Sequence, residues 1–168
     1  VAVAPGGGER LSSRDAGSWG GNMEFIEVRE GAAVFLPVWA EGAYLYLGDG
    51  HAVQGDGELT GDALETSMDV TFTVDVLRYR FRNVPRVETP DYLSSVGIAG
   101  SLDRAITRAT SDMARWLESE YQLSSTETAL VMGTAVKYDV PDIVPPAFSI
   151  AIRVSKAAVD RIRESENR

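Results

Sequence analysis

Hydrophobic and polar residues alternate over a long stretch in the first half of the chain. Within segment 63–81, "ALETSMDVTFTVDVLRYRF", apolar residues mostly occupy one parity: Leu64, Val70, Phe72, Val74 and Val76. Asp69, Thr71, Thr73 and Asp75 occupy the other parity. Because successive strand side chains point to opposite faces, this alternation predicts a long strand with one buried face. Upstream, "AAVFLPVW" and "AYLYLG" predict two further strands joined at "AEGA" by a tight hairpin turn.

The second half of the chain changes to a helical period. Apolar residues recur at steps of three and four and predict one buried helix face: Leu102, Ile106, Ala109, Met113, Trp116 and Leu117. Ser101 is a candidate N-cap for this helix. Ser124 and Glu127 have capping-box spacing at the start of a second helix. "AFSIAIRV" then predicts a strand, and "SKAAVDRIRESENR" predicts a polar terminal helix.

Together these patterns predict an α+β fold. Its N-terminal half is β-rich, as in a sandwich or barrel, and its C-terminal half is α+β with two to three helices. The expected organisation is a β-rich lobe over residues 1–90 with an α+β lobe, residues 91–168, packed on it.

Composition narrows the functional classes. The chain has 168 residues, 44% hydrophobic content and a formal net charge of −9, which is typical of a soluble globular protein. This acidic balance disfavours nucleic acid and anionic membranes as partners, because both require a surplus of basic residues. No cysteine is present, which excludes a thiol nucleophile and fits a cytoplasmic location.

The chain's single histidine lies among carboxylates and glycines in "YLGDGHAVQGDGELTGDALE", residues 46–65. Residues two apart in an extended segment point the same way, so Asp49 accompanies His51, and Asp56 accompanies Glu58. The short "AVQG" between these pairs can fold back and bring them together. Such a set suits a divalent cation. The alternative interpretation is that Asp and Gly simply favour exposed turns.

Four collinear segments carry a resemblance to a known family. They are "GGNME" (20–24), "AAVFLPVWAEGAYLYLGDGHAVQGDGEL" (32–59), "ALE" (63–65) and "ATSDMARWLESEYQLSSTETALVMGTAV" (109–136). These segments resemble the acetamidase/formamidase family, whose members carry G-N-x-D, L-P-V and G-D-x-H-A-x-Q-G-D-G-E elements. In this chain the acidic residue after G-N-x is Glu24. The resemblance implies hydrolysis of formamide or short aliphatic amides to carboxylate and ammonia, a bound divalent metal and oligomeric assembly.

On this interpretation the site residues take separate roles. The metal ion, zinc or calcium, would be held by a set of four residues: Asp49, His51, Asp56 and Glu65. Glu58 would act as the base that moves the proton of the attacking water. Gln54 or backbone N–H groups of "GSWGGN" would steady the oxyanion. The expected substrate and oxyanion loop consists of Gly20, Gly21, Asn22 and Glu24. The division of roles among Asp56, Glu58 and Glu65 stays open. A serine triad with His51 as base is the rival chemistry, but the chain has no G-x-S-x-G element.

The resemblance covers only the C-terminal part of the family pattern. The expected protein partner is therefore a second copy or a separate N-terminal family domain that completes the pocket. The family's reaction makes a small amide the expected substrate. The alternative function is a non-catalytic, metal-stabilised assembly or binding module left from an amidase.

Overall fold

A computed structural model describes residues 1–78 and 82–166. Its strands are β1 (Ala16–Gly17), β2 (Gly20–Gly21), β3 (Ala33–Phe35), β4 (His51–Val53), β5 (Leu64–Glu65), β6 (Arg86–Glu88), β7 (Tyr92–Ala99), β8 (Lys137–Asp142) and β9 (Phe148–Ser155). Its helices are α1 (Leu102–Glu120), α2 (Ser125–Ala135) and α3 (Lys156–Glu166). Short 3₁₀ turns lie at Gly6–Gly8 and Asp56–Glu58.

Five of the strands form one antiparallel sheet in the order β3-β6-β7-β9-β8. The central strands β7 and β9 pair over their whole length, from Tyr92 opposite Ser155 to Ala99 opposite Phe148. The remaining strands form two small pairs, β1 with β2 and β4 with β5. The β4–β5 pair carries the histidine.

Helix α1 lies across one face of the sheet, close to β7. Gly97 permits this approach, because a Cβ there would lie 2.0 Å from the Ala105 carbonyl oxygen. The helix buries Ala109, Met113, Trp116 and Leu117 in a core shared with Leu93, Ile152, Val154 and Val159. Burial of large apolar side chains supplies most of the favourable free energy here.

The opposite face of the sheet is covered by the N-terminal region. Met23 and Phe25 are buried there, in a cluster with Val87, Val96, Ile98 and Ala151. The two core side chains flank Glu24 in sequence and so fix its backbone against the sheet. A predicted site residue is thereby anchored by the core.

The buried face of α1 differs in part from the predicted stripe. Leu102 and Ile106 are exposed, so their predicted burial was wrong, and Asp112 is buried instead. Asp112 accepts two hydrogen bonds from the buried Arg86, at 2.7 Å and 3.1 Å, and one from Ser95 at 2.7 Å. A carboxylate is tolerated in the core because the guanidinium and the hydroxyl satisfy it.

The class of fold and the helix caps were predicted correctly. The structure is α+β, with all three helices in the second half of the described chain. The Ser101 hydroxyl accepts from the Arg104 N–H, and Ser124 and Glu127 form a complete capping box. The predicted strand and terminal helix correspond to β9 and α3.

Two strand predictions were wrong. Of the long alternating segment only Leu64–Glu65 is a strand; residues 66–78 have none, and residues 79–81 lie outside the described residues. Alternation produces a strand only where a neighbour supplies hydrogen bonds, and beyond Thr66 the described residues supply no backbone partner to it. The predicted hairpin at 32–48 is also absent. Its turn forms, with Ala43 N–H donating to the Ala40 carbonyl, but β3 pairs with β6 instead.

The predicted lobes, 1–90 and 91–168, stay a prediction. The main sheet takes β3 and β6 from the first range and its other three strands from the second. In the described part of the chain, no helix has the length and apolar character that crossing a bilayer requires.

Candidate active site and metal centre

The site is built around His51 at the start of β4. Antiparallel pairing places His51 directly opposite Glu65 of β5, and the Glu65 Oε1 lies 3.3 Å from the ring Nε2. Asp49, two residues before the histidine, places Oδ1 at 3.4 Å from the same nitrogen. The parity of "D-G-H" and the pairing of the two strands thus bring two carboxylates to one side of the ring.

Two further carboxylates approach from the protein interior. Glu58 ends the 3₁₀ turn Asp56–Glu58, and its Oε1 lies 3.8 Å from Nε2. This turn is held against the far end of β8, because Ile143 N–H donates to the Gly57 carbonyl at 3.0 Å. The Glu24 Oε2 lies 3.6 Å from the other ring nitrogen, Nδ1.

The four carboxylates differ in exposure. The side chains of Glu24 and Glu58 are each 6% exposed, whereas those of Asp49 and Glu65 are 52% and 48% exposed. The site therefore has a closed inner side and an open outer side, with the 11% exposed ring between them.

Three of the four carboxylates stand on an unusual backbone. Glu24, Asp49 and Glu58 have φ angles of 52°, 67° and 43°, in the left-handed region that disfavours residues other than glycine. Such conformations persist where the surrounding structure imposes them, and they cluster at functional sites.

Gln54 fixes the orientation of the imidazole. Its amide nitrogen donates to two backbone carbonyls, of Glu24 at 2.6 Å and of Pro141 at 3.1 Å. Its Oε1 must then face the ring, and it lies 3.0 Å from His51 Nδ1. Since an amide oxygen only accepts, Nδ1 carries the proton and Nε2 is left for another partner.

That second nitrogen is buried and has no hydrogen-bond partner among the described residues. It faces Asp49, Glu58 and Glu65, all acceptors when ionised, so a lone pair there meets three concentrated negative charges. A cation at this position, either a proton or a metal ion, would replace the repulsion between the lone pair and the carboxylates with attraction. Burial lowers the pKa of His51, but the Gln54 hydrogen bond outweighs it together with the charges of Glu24, Glu65 and Asp49, so that the pKa is raised.

Burial and mutual repulsion also shift the carboxylates. Burial, followed by the charges of Glu58 and Asp49, raises the pKa of Glu24 to about 7, although His51 opposes the shift. Burial raises the pKa of Glu58 as well, again with His51 opposing. Sites that concentrate unsatisfied negative charge in this way are suited to cations.

Within the part of the chain that the structure describes, two groups of three residues are close enough to hold a metal ion. One is Glu24, His51 and Glu58, and the other is Asp49, His51 and Glu65. Within each group one ligand atom from every residue lies within 4.8 Å of the others. One imidazole nitrogen with oxygen donors suits zinc, and the oxygen-rich surroundings also admit calcium. The donor set and the unpaired Nε2 therefore fit a divalent metal.

The remaining predicted residues lie apart from the ring or have other partners. Asp56 is exposed and belongs to neither metal-binding group. Gly20 and Gly21 pair with β1, and Gly21 N–H donates to the Val1 carbonyl at 2.9 Å. Asn22 N–H donates to the Asp15 carbonyl. These glycines allow close backbone packing: a Cβ on Gly21 would lie 2.2 Å from the Asp15 carbonyl oxygen.

Two residues of the second half were not predicted at the site. Pro141 supplies a carbonyl to Gln54, and Asp142 adds negative charge that raises the pKa values of both Glu24 and Glu58. Both belong to β8, a strand that the sequence patterns did not predict. Their proximity depends on the sheet, so no local signal could have revealed it.

Comparison with known proteins establishes the family to which this chain belongs. The sequence pattern of the Acetamidase/Formamidase family matches residues 3–154. The chain belongs to this family. The resemblance seen in its motifs is thereby confirmed.

Solved acetamidases share the fold. The acetamidase of Yersinia enterocolitica superposes with a TM-score of 0.89 at 28% identity, over 94% of this chain and 48% of that one. The acetamidase of Bacillus halodurans superposes with a TM-score of 0.87 at 31% identity, over 96% of this chain and 54% of that one. A Schizosaccharomyces pombe protein provisionally named a formamidase is 36% identical over 75 residues, 44% of this chain and 18% of its own length. The chain thus spans about half the length of the solved relatives.

Proposed function

We propose that this chain supplies the metal-binding, catalytic part of an enzyme that hydrolyses formamide or short aliphatic amides to carboxylate and ammonia. The observation that carries the proposal is the His51 ring, which Gln54 holds by one nitrogen while the other faces three carboxylates. Family membership supports the reaction class.

The proposed ligands are His51 Nε2 with Asp49 and Glu65, which lie on the open side where a substrate can enter. Glu24 and Glu58 form the inner, buried boundary of the same site. A zinc or calcium ion held there would supply polarisation of the amide carbonyl and would make water more acidic.

Glu58 is the proposed base. Its buried carboxylate faces the Nε2 side of the ring, and burial favours a carboxyl group that can both accept and return a proton. Water oxygen bonds to the carbonyl carbon as Glu58 takes one of its protons. Glu58 then delivers that proton to nitrogen as the C–N bond breaks, which leaves the carboxylic acid and ammonia. The acid then loses its own proton to ammonia or solvent and becomes the carboxylate. Glu24, on the Nδ1 side, is the alternative base.

Gln54 takes a positioning role in this proposal rather than the oxyanion role that its sequence position first indicated. Both hydrogens of its amide are directed to the backbone carbonyls of Glu24 and Pro141. If the Gln54 amide broke these hydrogen bonds to act on a substrate, its oxygen would no longer hold the His51 ring in place. Partners that orient a ligating histidine are as much a part of a metal centre as the ligands.

Ammonia release from formamide and acetamide tests the proposal. The assay compares the chain joined to the additional part of the solved relatives with the same protein carrying His51→Ala, Glu58→Gln or Glu30→Gln. Glu30 is exposed and makes none of the site contacts. We expect His51→Ala and Glu58→Gln to lose activity and Glu30→Gln to keep it. Retained activity in His51→Ala would contradict the proposal. Stoichiometric metal without any ammonia release would favour the metal-stabilised assembly module instead.

A further inference from the structure

Residues 66–77 have neither regular secondary structure nor a neighbouring strand among the described residues. Thr66 N–H donates to the Gly50 carbonyl at 2.7 Å. Beyond it, the described residues give the segment no backbone-to-backbone hydrogen bond, and Val76 N–H donates only to the side chain of Asp75. The even-numbered apolar side chains, between 53% and 67% exposed, are Met68, Val70, Phe72, Val74 and Val76.

In an isolated chain, few interactions would stabilise this segment in a single conformation. Ordering each backbone residue costs about 1–2 kcal/mol, and this segment offsets little of that cost because its apolar face is in water. Its unpaired N–H and C=O groups are a template for another strand. Continuous apolar exposure of this kind marks an interaction surface.

The relatives indicate what covers the segment. This chain is matched almost completely by the solved acetamidases but covers only 48% of one and 54% of the other. Each relative therefore carries about as much polypeptide again outside the match. We propose that residues 67–77 are a docking strand for that additional part: one of its strands pairs with this segment and packs against the even-numbered apolar face.

A second copy of the chain fits the segment less well. In an antiparallel self-pair centred on Phe72, Asp69 stands directly opposite Asp75. A parallel self-pair in register stacks each aspartate on itself. Like charges placed opposite each other destabilise a strand pair, and the chain already carries a net charge of −9.

The docking strand leads directly out of the candidate site. It follows Glu65, and Met68 lies over Gly50, where an added Cβ would be 2.6 Å from the methionine Cε. A partner on this segment would therefore lie beside Asp49 and Glu65, the half-exposed side of the site. This consequence rests on the proposed function, whereas the docking strand itself does not.

The probe is the part of the Bacillus halodurans acetamidase chain that the match leaves uncovered, produced as a separate polypeptide. It is mixed with the chain in EDTA and followed by light scattering and amide hydrogen exchange. We expect a one-to-one complex in which exchange at residues 67–77 slows by about tenfold or more, as ladder hydrogen bonds form. A Phe72→Lys/Val74→Lys variant should bind at least about tenfold more weakly. A matched Thr71→Lys/Thr73→Lys variant, on the opposite face, should bind within about twofold.

Three results would overturn the docking strand. They are equal binding by both double variants, unchanged exchange at 67–77 within the complex, and a homodimer of the chain alone that Phe72→Lys/Val74→Lys abolishes. If the probe is insoluble, it is joined to the chain in one polypeptide, and exchange at 67–77 decides in the same way. A complex that forms as expected but releases no ammonia when metal is added counts against the proposed function and leaves the docking strand intact.

Discussion

Replacing Glu24 by Gln should stabilise the metal-free protein at alkaline pH. Glu24 is buried beside Glu58 and Asp49, and its pKa rises from the ordinary 4.5 to about 7. The folded state thus holds this proton more tightly than the unfolded state does. Its contribution to stability is fully present below pH 4.5 and is lost as the pH rises through about 7. Gln is neutral at every pH and avoids that loss.

The displaced pKa of Glu24 sets the size of the effect. A pKa raised from 4.5 to about 7 corresponds to at most about 3 kcal/mol of unfolding free energy at 25 °C. The neighbouring Asp49 and Glu65 are half exposed, so water at the open side reduces the penalty. We therefore expect Glu24→Gln to gain about 2–3 kcal/mol at pH 8 and less than about 1 kcal/mol at pH 5.

Urea unfolding in EDTA at the two pH values measures this difference. Exposed Glu30→Gln is the matched control and should change stability by less than about 0.5 kcal/mol. Saturating zinc should then stabilise the wild type more than Glu24→Gln, because the variant lacks one carboxylate of the site. A Glu24→Gln protein as stable as the wild type at pH 8, or less stable, would show that the ionised carboxylate is already compensated, which refutes the reasoning.

Three further predictions follow from the described contacts. Gln54→Leu removes the anchor of His51 Nδ1 and should weaken zinc binding by about 10–100-fold by calorimetry, while exposed Val53→Ala leaves it unchanged. Chelation should lower the melting temperature by about 5–10 °C if the metal was present at about 100 times its Kd, and an unchanged melting curve would count against a bound metal. Asp112→Ala removes both hydrogen bonds between the buried Arg86 and Asp112 and should cost about 3–5 kcal/mol in urea unfolding. The exposed Asp62→Ala is its control, and a similar small change in both would contradict the buried pair.

Local sequence patterns predicted the parts of the molecule that local physics decides. The caps at Ser101 and Ser124 need only residues within one turn of helix, and both formed. The convergence of Asp49 on His51 follows from strand parity over two residues, and the 3.4 Å contact matches it. The function of this convergence is still a proposal.

The remaining features depend on residues far apart in the chain. Gln54 is fixed by carbonyls 30 and 87 residues away, so its own neighbours could not reveal its orientation. Asp112 looks like a surface residue until Arg86 and Ser95 are placed beside it. In the alternating segment 66–77, the local pattern instead predicted a strand that the structure lacks. Its pattern indicates a strand, but a strand also needs a partner, and the described residues provide none.

The central claim is that His51 Nε2 binds a divalent metal within this ring of carboxylates. Anomalous diffraction from crystals grown with zinc tests it most directly, because the signal both identifies the metal and locates it. We predict a peak about 2.0–2.1 Å from Nε2, with carboxylate oxygens of Asp49 and Glu65 completing the coordination. Zinc absent from this position, with a protonated Nε2 hydrogen-bonded to one of those carboxylates, would contradict the account.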